Sequence, residues 1–277
     1  MNIQKTSLML KGLIKKVIFL ILYRTTGKAL INTSEINVYR NLDKGSILYS
    51  QLSEEKRKLI APLLPYSKAQ LAQDLFALAF TKSTSKNYFV EFGATDGVTL
   101  SNTWLLEKKL GWDGILAEPA KGWHADLRKN RSCAIDTKCV AKASGLKYKF
   151  LEVRNCSEGS PELSSIQKYA NNGDWASDIR LKNSTCYEVE SISLDDLLDQ
   201  HDAPYEIQFL SLDTEGSELE ILQGHNFKSR RINLICVEHN YVKDNRLAIK
   251  ALLLDNGYKQ KFEDISQWDD WYMLTGH

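Results

Sequence analysis

From residue 67 onward, apolar runs alternate with amphipathic stretches. Ser67–Phe80 (SKAQLAQDLFALAF) places Leu71, Leu75, Leu78 and Ala79 on one helical face. Tyr88–Phe92 (YFVEF) reads as a strand, followed by a helix over Leu100–Leu110 that Gly111 stops. Gly114–Ala117 is a short buried strand and Trp123–Lys129 a helix; Cys133–Ala141 and Tyr148–Val153 are strands. YEVESISLDDLL (Tyr187–Leu198) gives a strand and then a helix capped near Ser193. Ile207–Leu212 (IQFLSL) is a fully apolar strand delivering Asp213, and Ser217–Gly224 is a short helix. Ile232–Val237 (INLICV) delivers Glu238 and His239. A helix over Leu247–Asn256 and strands over Lys259–Glu263 and Trp271–Leu274 close the chain. Arg154–Lys182 lacks periodicity and is rich in Ser, Asn, Gly and Pro, which predicts a long functional loop.

Strand–helix alternation with continuously apolar strands predicts a parallel sheet covered on both faces. Before it, Ile36–Pro65 is poorly periodic, and the boundary falls near Pro62–Ser67: a helical extension over 1–65 and one domain over 66–277. Leu8–Tyr23 (LMLKGLIKKVIFLILY) is strongly apolar, with Lys11, Lys15 and Lys16 in its first half. As a helix it would span roughly 24 Å, short of the ~30 Å hydrocarbon core. Three readings stand: a helix packed on the domain, a peripheral membrane-surface helix with snorkelling lysines, or a cleaved signal.

Composition changes this picture little. Hydrophobic content of 43% and charged content of 26% are globular values. A formal charge of +1 gives no basic field for a nucleic-acid partner. Five scattered cysteines without a C-x-x-C spacing read as reduced thiols in a cytoplasmic setting.

The chemistry gathers at strand ends. Ligands of such sheets lie beyond the carboxyl ends of the strands. Glu91, Glu118, Asp213 and Glu238 each end or follow a different buried strand. Gly93 and Gly97 permit a tight turn and close backbone approach to a ligand. The stretch reads G-A-T-D-G, so neither a dinucleotide fingerprint nor a Walker loop is present. Glu91 suits a cation better than a phosphate, and Glu118 stands where a ribose-binding acid belongs. S-adenosylmethionine combines a ribose with positive charge and carries no phosphate.

YFVEFGATDGVTLSNTWLLEKKLGWDGILAEP, SISLDDLL and FLSLDTEGSELEILQG resemble the FkbM family of S-adenosylmethionine-dependent methyltransferases, over roughly Leu71 to Leu274. The resemblance implies a class I methyltransferase fold, α/β and Rossmann-like. Its sheet would be seven-stranded and mostly parallel, with an antiparallel last strand. It implies Glu91, Gly93, Asp96 and Gly97 in the first cofactor loop and Glu118 on the ribose. Asp213, Glu215, Gly216 and Glu218 match the family's D-x-E-G-x-E pattern, and Thr95 stands where many class I enzymes have a glycine. The implied reaction is O-methylation of a hydroxyl on a sugar, glycan or small metabolite. A non-catalytic or membrane-associated scaffold of the same fold is the competing reading.

Asp213 and the Glu238–His239–Asn240 run end successive strands, so they meet at the substrate mouth. Asp213 and Glu238 are candidate ligands for Mg2+ or Mn2+, which would activate a substrate hydroxyl. Asp213 and His239 are the catalytic candidates, His239 serving as general base if no metal binds. The bland alternative for His239 is a hydrogen-bonded residue at the sheet's end. Ser160–Trp175 is read as selecting the acceptor, and Trp268 and Trp271 as covering the last strand rather than stacking on a sugar.

Overall fold

A computed structural model describes residues 45–82, 86–154, 160–171 and 173–275 of the chain. The segment 8–23, with its three readings, lies outside the described residues. Helical turns over 45–51 lead to α1 (Glu54–Ile60) and α2 (Gln73–Phe80). Then follow β1 (Tyr88–Phe92), α3 (Trp104–Leu110), β2 (Asp113–Ala117), α4 (His124–Asn130), β3 (Ala134–Asp136), β4 (Cys139–Val140), β5 (Lys147–Val153) and β6 (Ser165–Ile166). The chain continues through α5 (Ser177–Lys182), β7 (Ser184–Ile192), α6 (Leu194–Gln200), β8 (Glu206–Leu212), α7 (Glu218–Gly224), β9 (Arg231–Glu238), α8 (Lys243–Asp255), β10 (Tyr258–Lys261) and β11 (Asp269–Leu274).

The main sheet has seven strands in the order β10-β11-β9-β8-β1-β2-β3. β9, β8, β1, β2 and β3 run parallel, and β11 is antiparallel to both neighbours. This is the anticipated mixed sheet with its reversed last strand. Alternate residues of each central strand serve opposite faces. Val90, Leu210 and Ile235 pack with Leu197, Leu198, Leu222 and Leu253. Phe89, Phe209, Leu234 and Trp271 pack on the other face with Leu75, Phe76, Leu105 and Leu127. Both faces are covered, which is why apolar residues dominate these strands.

Leu48, Leu52 and Ile60 belong to the second of these cores, so residues 45–60 share the domain's packing. Gln51 Nε2 also donates to Asp264 Oδ2 at 2.6 Å. Trp271 is fully buried and stacks on Phe76 with ring centres 5.0 Å apart, covering the sheet as read from the sequence.

A second, four-stranded sheet orders β4-β7-β5-β6, with β5 and β7 antiparallel. The single strand expected over Cys133–Ala141 is in fact two: β3 joins the main sheet and β4 the small one. The expected loop Arg154–Lys182 holds β6, α5 and two short 3-10 turns, which fold over the strand ends. Ser193 caps α6 as anticipated, accepting from Asp196 N at 3.1 Å. Among the described residues no helix is long and apolar enough to cross a membrane.

Candidate active site

β1 ends beside β8, and the loop between β1 and α3 must turn in very little space. Gly93 has φ +74, and a Cβ there would stand 2.1 Å from the Asp213 carbonyl oxygen. Gly97 has φ +79, and a Cβ there would overlap the Arg131 side chain at 2.5 Å. Both positions demand glycine for conformation and for space. Between them Thr95 is also left-handed, at φ +49, and its amide donates to Glu118 Oε2 at 2.8 Å.

Asp96 shapes this loop from within. Its carboxylate accepts from the Val98 and Thr99 amides at 2.8 and 2.6 Å, and it does not line the cavity described below. Glu91 is buried and pins the far side of the loop. It accepts from Ser101 Oγ, Asn102 N and Thr103 Oγ1 at 2.9, 2.6 and 2.5 Å. Arg131, which also donates to Gly97 O, lies 3.6 Å from it. The chain itself therefore occupies the Glu91 oxygens, which leaves them little capacity to hold a ligand directly.

Glu118 follows β2. Each of its oxygens takes one backbone amide, from Thr95 and from Ala120, both at 2.8 Å. A carboxylate has about four acceptor positions, so half its capacity stays open. Burial pushes its pKa up to about 7.

These residues border a cavity of about 330 Å³ at the carboxyl ends of β1, β2, β8 and β9, within the range of small-ligand sites. Glu91, Glu118, Glu162, Asp213, Glu215 and Glu238 all line it, and no described lining residue is Lys, Arg or His. Asn102 contributes a buried Oδ1 with no hydrogen-bond partner.

Three of the acids converge. Asp213, Glu215 and Glu238 each offer an oxygen within 4.8 Å of the others. Glu238 is buried, and its Oε2 has no partner. Burial raises the carboxyl pKa at all three, and mutual repulsion adds to it. The D-x-E-G-x-E pattern divides its labour here. Asp213 faces the cavity, Glu215 turns through a left-handed φ of +59, and Glu218 accepts from the Thr214 and Gly216 amides to close the turn.

Arg180 is the site residue that the sequence reading missed. It is fully buried: Nη1 donates to both Asp174 oxygens at 2.9 and 2.7 Å, Nε donates to Leu163 O at 2.7 Å, and Nη2 reaches Glu215. This guanidinium ties the 160–182 segment to the acid cluster. Asn240 Nδ2 holds the same Glu215 oxygen at 3.1 Å.

His239 is not brought into the cavity. Its Nδ1 accepts from the Tyr241 amide at 3.0 Å, and its Nε2 lies 3.6 Å from Asp270 Oδ1. Instead His239 borders a second, much smaller recess together with Gly216, Glu218, Glu238 and Asn240. Its Nδ1 is thus used within the chain, as for a hydrogen-bonded residue at the sheet's end.

No curated protein matches the chain. Two solved structures resemble it weakly. One is a methyltransferase FkbM from Methylobacillus flagellatus, 13% identical with a TM-score of 0.44, the match covering 86% of this chain and 60% of that one. The other is a fibrillarin/Nop5p complex, 11% identical with a TM-score of 0.37, covering 75% of this chain and 81% of that one. The chain thus spans less than two thirds of the length of the Methylobacillus protein. The family model described as the methyltransferase FkbM domain matches residues 91–268. That span contains the glycine loop, Glu118, the 160–182 segment and the acid cluster, and the chain belongs to the FkbM methyltransferase family.

Proposed function

We propose that this chain binds S-adenosylmethionine in the cavity and methylates a hydroxyl of a sugar, glycan or small metabolite. The observation that carries this reading is Glu118: it lies buried across from the glycine loop, with half its acceptor capacity open to the cavity. Two ribose hydroxyls would fill that capacity. The unpartnered Asn102 Oδ1 suits the ammonium of the methionine moiety. A lining with six acidic residues and, among the described residues, no basic one suits a sulfonium better than a phosphate.

S-adenosylmethionine supplies an electrophilic methyl group. The chain's part is to align the acceptor oxygen and to take its proton. As the acceptor O–CH3 bond forms, the S–CH3 bond breaks and the hydroxyl proton passes to the Asp213–Glu238 pair. Both carboxylates line the cavity, whereas His239 does not. Asp213, Glu215 and Glu238 also fit a hard divalent cation such as Mg2+ or Mn2+ by donor type and spacing. The buried, unpartnered Glu238 Oε2 supports that fit. Such an ion would lower the pKa of a hydroxyl bound to it.

Calorimetry with S-adenosylhomocysteine tests the cofactor half of the reading. Saturable binding by the wild type and weakened binding by folded Glu118→Gln are expected. No binding by the wild type would overturn it.

A further inference from the structure

Two large aromatic side chains on the cavity wall stand in solvent: Trp175 is 69% exposed and Tyr241 64% exposed. Apolar rings of this size left open at a cavity mouth mark a contact surface. Neither is exposed because its backbone is loose. The Asp174 side chain is wholly buried in its pair with Arg180 and also accepts from the Ala176 amide and Ser177 Oγ, both at 3.0 Å. Ala176 is itself buried. Trp175 therefore projects from between two anchored neighbours.

Tyr241 is held comparably. Its amide donates to His239 Nδ1, and its ring meets the His239 ring edge-on with centres 5.9 Å apart. Asn240 and Tyr241 both take left-handed backbone, at φ 46 and φ 60, in a turn closed by Val242 N donating to His239 O at 2.8 Å.

Behind these rings stand acceptors: Asp213, Glu215, Glu238 with its unpartnered buried oxygen, and Glu162. A ligand suited to this mouth has an apolar face for the rings and several hydroxyl donors for the carboxylates. A pyranose ring is built this way, with C–H bonds on its face and hydroxyls at its rim. Among the described lining residues no Lys, Arg or His stands ready to pair with a ligand's own anion, which disfavours a charged acceptor.

We infer that Trp175 and Tyr241 are stacking platforms for an uncharged sugar ring, and that the acceptor is a neutral hexose or N-acetylhexosamine unit rather than a uronic or phosphorylated one. This rests on the methyltransferase reading above.

The test uses the full chain saturated with S-adenosylhomocysteine. Neutral, uronic and phosphorylated oligosaccharides and a set of simple phenols are titrated, with binding followed by saturation-transfer NMR and calorimetry. Neutral oligosaccharides should bind preferentially. Trp175→Ala and Tyr241→Ala should each weaken them by about three- to tenfold, the range of aromatic contact energies. Trp175→Phe should retain most of the affinity, and S-adenosylhomocysteine affinity should not change in any of the three. Binding of anionic glycans as tight as neutral ones would overturn the inference. So would binding of phenols but of no sugar, or unaltered sugar binding by Trp175→Ala. Absence of S-adenosylhomocysteine binding would instead remove the underlying reading. The two failures are thus told apart.

Discussion

Gly93 and Asp213 end adjacent parallel strands so closely that a Cβ on the glycine would stand 2.1 Å from the aspartate's carbonyl oxygen. The contact joins the cofactor loop to the acid cluster through backbone alone. Gly93→Ala meets both that clash and a left-handed φ, which by itself costs about 1–2 kcal/mol. The variant should melt clearly below wild type and lose S-adenosylhomocysteine affinity even where it remains folded. Unchanged melting and affinity would show that the loop is less constrained than its geometry indicates.

Glu118 makes cofactor binding depend on pH. Its folded pKa of about 7 lies above the usual 4.5, so burial favours the protonated form. The stability it contributes is present below about 4.5 and is lost as pH rises through about 7. Ribose hydroxyls prefer the ionised carboxylate, so binding should release a proton. S-adenosylhomocysteine affinity should rise from about pH 6 to about pH 8, and the binding enthalpy should vary with buffer ionisation heat. Glu118→Gln should flatten both dependences and weaken binding by about 1.5–3 kcal/mol. Wild-type affinity independent of pH would contradict the ribose assignment.

Arg180 should be costly to replace. Arg180→Met leaves Asp174 and Glu215 buried without their cation, a loss of about 3–5 kcal/mol. Arg180→Lys keeps the charge but cannot serve Leu163 O, Asp174 and Glu215 from three separate nitrogens, and should recover only part of it. Chemical denaturation measures both. A methionine variant as stable as wild type would mean that the 160–182 segment is not held through this residue.

The acid cluster and His239 make opposite predictions. Asp213→Asn and Glu238→Gln should each depress turnover more than they weaken cofactor binding. Chelator should lower turnover, and magnesium or manganese should restore it. His239→Gln should leave turnover near wild type, because His239 does not line the cavity and its Nδ1 is used within the chain. Full activity in excess chelator with an inactive His239→Gln would reverse this assignment.

The main sheet was legible because YFVEF, IQFLSL and INLICV are buried on both faces, so apolar residues dominate them, interrupted only by Glu91, Gln208, Ser211 and Asn233. The small sheet was not. β5 and β7 each leave several residues exposed, and β4 and β6 are only two residues long. The acids could be found because each follows an apolar strand. Arg180 could not: a charged residue in a polar stretch looks solvated until Asp174, Leu163 and Glu215 surround it. His239 follows the last residue of β9, where strand alternation no longer fixes which way a side chain turns.

Incubation of the purified chain with methyl-labelled S-adenosylmethionine and fractionated neutral glycans and metabolites tests the central claim most directly. Products are then identified by mass spectrometry. The label should appear on an acceptor oxygen as a methyl ether, in proportion to released S-adenosylhomocysteine, and Asp213→Asn should abolish it. Label on nitrogen or carbon, or no transfer by a chain that binds S-adenosylhomocysteine, would contradict O-methylation at this site.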